Sequence, residues 1–138
     1  MVLFESSVLK LDYSPATDIL EVEYPDLHDF LLPEIKRSID TLVDVVRNYD
    51  VKKLLLDSTR TVVSVNDAES REIASYLAMG LAGTRLWKVA RVQSPSAAVE
   101  TRAQDNIRNI QNAQPLPFQL RNFTGKAEAM AWLRAGNR

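Results

Sequence analysis

Two short stretches near the start of the chain alternate apolar and polar residues. Leu9, Leu11 and Tyr13 alternate with Lys10 and Asp12, and Leu20, Val22 and Tyr24 alternate with Glu21 and Glu23. A period of two marks strands with one wet face. Ser14-Pro15-Ala16-Thr17 lies between them as a loop of turn-forming residues. A hairpin is therefore predicted, with Leu11 facing Leu20, Leu9 facing Val22 and Lys10 opposite Glu21.

The period then changes. Pro25-Asp26 breaks the second strand and a linker runs through Phe30. Pro33 suits a first helical turn. Ile35, Ile39, Leu42, Val43 and Val46 follow with the spacing of a helix buried on one face, and Asn48 and Asp50 are its stop residues. Lys53 to Asp57, with Leu54-Leu55-Leu56 inside it, reads as a buried central strand. Thr61 to Val65 extends that strand, forms another or crosses over as a loop; the pattern does not choose.

Asn66 with Glu69 three residues later resembles a capping box, and Ile73, Tyr76, Leu77, Gly80 and Leu81 share a face of the helix that follows. Gly80 and Gly83 offer its stop. Lys88 to Gln93 is the next strand, carrying Val89, Ala90 and Val92. Ser94 then caps a helix with Pro95 in its first turn and Ala103, Ile107 and Ile110 on its inner face. After Pro115 and Pro117, Phe118 to Phe123 reads as a half-buried strand. Thr124 caps a last helix lined by Ala127, Met130 and Ala131, with Trp132 beside them. The expected fold is α/β: a mixed, mostly parallel sheet of about five strands with an N-terminal antiparallel hairpin and about four helices.

Composition narrows the chemistry more than the fold. The 138 residues suit one domain, and hydrophobic and charged residues at 46% and 25% are ordinary for a globular chain. The absence of cysteine removes thiol nucleophiles, thiolate metal sites and disulfides, and it permits a reducing cytoplasm, the expected location. No secretory signal or membrane-length apolar run is visible. The net charge of −1 hides a split: residues 1–35 carry eight acids and one base, whereas the remainder carries sixteen bases and ten acids. Such asymmetry guides self-association, intramolecular contact or a charged partner. With the hairpin's outer strand as an exposed edge, it makes a homodimer an expectation. No basic-aromatic interleaving points to nucleic acid.

Three stretches together resemble the STAS/SEC14-like, or SpoIIAA-like, domains related to anti-anti-sigma factors. They are Lys52 to Ser58, Trp87 to Val92, and Phe118 to Leu133 with Phe123 before the helix and Ala129-Met130-Ala131-Trp132-Leu133 within it. The resemblance implies a non-enzymatic regulatory or protein-interaction module, with a protein partner. Its SEC14-like side implies instead a carrier or sensor of a small apolar, lipid-like ligand. In the anti-anti-sigma branch a serine at the helix start after the central strand is phosphorylated. The matching stretch here is Val65-Asn66-Asp67-Ala68, without that serine, and Ser64 stands nearby.

Candidate site residues follow from position. Asp57, Ser58 and Thr59 close the central strand, at the carboxyl end where α/β sheets bind ligands; the same residues also make ordinary strand-end turns. Asn66, Ser94 and Ser96 stand at helix starts, where capping alone accounts for them. Ser64 and Ser94 are the candidate phosphorylation positions. His28, the only histidine, sits between Asp26 and Asp29 with no nucleophile placed beside it. No catalytic residue, metal site or cofactor is assigned. Trp87 and Trp132 are expected in core packing.

Overall fold

The computed structural model describes residues 1–5, 9–23, 32–59, 67–113 and 115–135. Strands β1 (Val2–Glu5), β2 (Lys10–Ser14) and β3 (Ile19–Glu23) form an antiparallel meander. Three crossovers follow, through α1 (Leu32–Asn48) to β4 (Lys53–Asp57), α2 (Asp67–Ala82) to β5 (Lys88–Val92), and α3 (Ala97–Ala113) to β6 (Gln119–Phe123). Helix α4 (Lys126–Arg134) ends the described chain. The six strands lie in the order β1-β2-β3-β4-β5-β6, parallel from β3 onward. The fold is the expected α/β mixed sheet with one more strand. Val2-Leu3-Phe4 is a continuous apolar run, so it shows no alternation, and a bulge between Val2 and Phe4 breaks its pairing.

That extra strand changes which edge is exposed. The outer hairpin strand β2 is covered by β1, so the edge argument for a homodimer passes from β2 to β1. The hairpin register also differs from expectation. Asp18 takes a left-handed φ of 56° and donates its N–H to the Ser14 carbonyl at 2.8 Å, drawing all of Pro15 to Asp18 into the turn. Ser14 therefore pairs with Ile19, Tyr13 with Leu20 and Leu11 with Val22. The shift is two residues, which preserves faces, so Leu11, Leu20 and Val22 remain in the core. Lys10 meets Glu23, and Glu21 meets the like-charged Asp12. Lys126 of α4 offsets this crowding, with its Nζ 3.0 Å from Glu21. Part of the charge split is thus an intramolecular match.

The sheet is buried on both faces. On one, Leu11, Leu20, Leu54 and Val89 pack against Ile35, Ile39, Leu42, Val43 and Val46 of α1 and Leu81 of α2. On the other, Ile19, Leu55, Ala90 and Val92 pack against Ala129 and Leu133 of α4. The buried faces of β4 and β5 explain why they read as unbroken apolar runs. The inner face of α4 is set by Ala129 and Leu133, while Ala127 and Ala131 are exposed; the expected face is rotated. Lys88 is buried beneath that helix and donates to the carbonyls of Trp132 and Ala135 at 3.2 and 3.1 Å, holding the helix C-terminus. Trp132 is half-buried against Phe123, and Trp87 is half-buried with the Lys52 ammonium 6.0 Å from its ring centre.

Gly80 is not a helix stop. It lies inside α2 at the crossing with α1, where an added Cβ would come 2.7 Å from Val43 Cγ2. Gly83 follows the helix end and donates to the Gly80 carbonyl. Tyr76, expected on the inner face, is exposed and hydrogen-bonds Asp40. Helix α3 begins two residues later than Ser94-Pro95 would place it. Ser96 Oγ accepts the Val99 N–H at 3.4 Å, while Ser94 Oγ accepts the Ser96 N–H at 3.2 Å. Ser96 is therefore the cap, and Ser96→Ala should lower stability by about 1 kcal/mol in urea titrations, with a smaller loss for Ser94→Ala. Gly125, not Thr124, occupies the cap position of α4, without a side-chain cap bond. The capping-box residue Asn66 and the segment Thr61 to Val65 lie outside the described residues.

Candidate functional site

Helices α2 and α3 bring small residues to their shared side: Ala74 and Ala78 from α2, Ala98 and Ala103 from α3. Alanines cannot fill the volume between two helices resting on a sheet, so a cleft remains. Within α3 only Asn106 is buried, whereas α1 buries six residues. The helix over the middle of the sheet packs fully; the pair over its β5–β6 end does not.

The cleft has two compartments with Ala74, Arg91, Ala103 and Asn106 in both walls. The inner one, about 170 Å³, has a floor of Leu56, Val89 and Leu120 and is bordered by Ile110, Leu116 and Phe118. The outer one, about 310 Å³, adds Ser58, Ser70 and Arg102. Ser58 follows β4, so the outer compartment lies at the carboxyl ends of the parallel strands, where open α/β sheets hold ligands. Both are half-open to solvent.

One polar assembly organises the wall. Arg91, on β5, faces the same side as Val89, and its Nη1 and Nη2 each contact one carboxylate oxygen of Glu100 at 2.8 Å. Nη1 also donates to Asn122 Oδ1 at 3.2 Å, and Glu100 accepts the Ser94 N–H at 2.8 Å. The side chains of Arg91 and Glu100 are only 10% and 17% exposed, so this is a pair largely removed from water. Burial pushes the Glu100 carboxyl upward, but the hydrogen bonds from Arg91 and Ser94 win and hold it below its ordinary value. Farther along the wall, Asn106 Nδ2 donates to Ser70 Oγ at 3.0 Å and ties α3 to α2.

The chain matches no family model, no curated protein and no solved structure.

Of the candidate residues, Ser58 alone lines the cleft among those described. Its neighbours make a strand-end turn: Thr59 donates its N–H and its hydroxyl to Asp57 Oδ1 at 3.0 and 2.6 Å. Asp57 belongs to a different recess, beside Glu21, Glu23 and Lys126. Ser94 and Ser96 serve the start of α3, and Ser94 is further held by Glu100. Ser64, Asn66 and His28 lie outside the described residues. No group of three or more His, Asp or Glu side chains among the described residues is arranged to hold a metal ion. No helix among them is long and apolar enough to cross a membrane.

Sequence reasoning missed Arg91, Glu100, Asn106, Ser70 and Arg102. A signal existed for the first pair. Arg91 interrupts a buried strand, Val89-Ala90-Arg91-Val92, and a buried guanidinium demands a carboxylate. Glu100, in the first turn of the next helix, is the nearest acid along the chain.

Proposed function

We propose that this chain is a non-enzymatic binding module of STAS/SEC14-like type whose α2–α3 cleft takes a small apolar ligand, as a carrier or sensor. The supporting observation is the inner compartment, whose wall is built from both helices and the sheet. Apolar pockets with a few placed polar groups are the usual form of small-molecule sites. An empty apolar space of about 150 Å³ accommodates a molecule of benzene size. The resemblance adds weight on its SEC14-like side.

The regulatory reading, with a protein partner, draws less support. The large exposed apolar side chains, such as Phe4, Tyr49 and Met79, are distributed over β1, the α1–β4 turn and α2. Ser94, the described candidate for phosphorylation, serves the start of α3, as does Ser96.

The test is titration with toluene, followed by amide chemical shifts and melting temperature. Saturable shifts at Ala74, Ala103 and Leu56, with a rise in melting temperature, are expected. Ala103→Leu should abolish the shifts while the protein stays folded. A protein that toluene leaves unperturbed at these residues would overturn the reading.

A further inference from the structure

The polar groups that the cleft leaves open are neutral, and they border a space of one-ring size. Resting on the reading above, we infer that the cleft recognises a small neutral aromatic alcohol of phenol type. The ring enters the inner compartment, and its hydroxyl meets Asn106, which lines both compartments.

Asn106 carries this assignment. Its side chain is buried, with the residue only 8% exposed, yet it borders the inner and the outer space. Its Nδ2 donates to Ser70 Oγ at 3.0 Å, whereas Oδ1 makes no hydrogen bond to another described residue. Nor is Oδ1 sealed inside protein: among the described residues, Thr17 Oγ1 is the enclosed side-chain polar atom without a partner. An open amide oxygen in a buried position takes a donor. The hydroxyl of Ser58, a buried residue of the outer compartment, is likewise without a hydrogen bond to another described residue. A ligand hydroxyl both donates and accepts, so it suits such an edge.

The charged groups of the wall are already used. Both terminal nitrogens of Arg91 are engaged by Glu100 and Asn122, and Arg102 has a partner of its own. No carboxylate lines either compartment among the described residues. An ionised head would therefore give up its hydration without gaining a free counter-charge. A purely apolar ligand would cover Asn106 Oδ1 and leave it without a donor. The inner volume, about 170 Å³, suits one ring rather than a long acyl tail.

Three probes of similar shape separate the possibilities: phenol, toluene and benzoate, each titrated while amide shifts at Ala74 and Ala103 are followed. Phenol is expected to bind about fivefold more tightly than toluene, the return on one neutral hydrogen bond, and benzoate more weakly than either. Asn106→Leu should abolish the preference for phenol while toluene still binds, and the toluene shifts report that the cleft is intact. The ranking of the three probes on the wild type decides the matter even where that variant does not fold. If toluene binds as tightly as phenol, the hydroxyl assignment is overturned and the apolar cleft stands. Benzoate outbinding phenol, or a preference for phenol that survives Asn106→Leu undiminished, also overturns it. If no probe perturbs Ala74 or Ala103, both readings fail.

Discussion

Arg91→Leu should destabilise the protein by about 3–5 kcal/mol, the usual consequence of removing one partner from a buried ion pair. The cause is less the lost attraction than the carboxylate left behind. Glu100 would keep the Ser94 N–H but lose both charged donors, in a position 17% exposed. Adding Glu100→Gln removes the stranded charge and keeps an acceptor for Ser94, so the double variant should recover much of the loss. Urea denaturation of the wild type, both single variants and the double variant measures the coupling. Simple additivity would show that the pair does not act as a unit.

The same pair sets an acid dependence. The folded value of Glu100 lies below its ordinary 4.5. Its contribution to stability is therefore complete above that ordinary value and is lost as pH falls through the lower folded one. Stability curves measured from pH 6 downward should show this component in the wild type and lack it in Glu100→Gln.

Gly80→Ala is the second variant with a large expected effect, and two forces oppose each other in it. Alanine favours a helix interior by about 1 kcal/mol over glycine. The new methyl would, however, meet Val43 Cγ2 at 2.7 Å, and Val43 is a buried β-branched residue with little rotamer freedom in a helix. Overpacking of this kind costs about 1–3 kcal/mol, so a net loss is expected. Val43→Ala in the Gly80→Ala background opens the room that the methyl needs. The pair should be more stable than the sum of its single effects by about 1 kcal/mol or more. Thermal melts that show Gly80→Ala to be stabilising would mean that α1 and α2 do not meet this closely.

The parts of the fold that could be read along the chain are those in which one face is wet or both are dry. The stripe of α1 from Ile35 to Val46 and the run Leu54-Leu55-Leu56 advertise their burial by period alone. What escaped was determined by contacts between distant segments. Gly80 looks like a helix stop until Val43 is known to lie against it. The hairpin register depends on the conformation of one residue, Asp18. The face of α4 follows from the sheet beneath it, which Ala127 and Ala131 cannot signal because alanine suits either side. The site was the hardest to foresee because it is a space: it exists where Ala74, Ala78 and Ala103 fail to touch, and small residues give no sign of that along a chain. Its polar wall had a local sign in Arg91, and its apolar floor had none.

The strand order of the sheet bears on how the molecule is made. Because β1 to β6 are neighbours in the order of synthesis, no late strand has to slot between two earlier ones. Each newly emerged segment finds its docking edge already laid down, first in the local hairpins of the meander and then one crossover at a time. Only the meander closes locally; the parallel pairings join Ile19 to Lys53, Lys53 to Lys88 and Lys88 to Gln119, each across a helical crossover, and these are the slower steps. The chain is suited to building its sheet progressively as it leaves the ribosome.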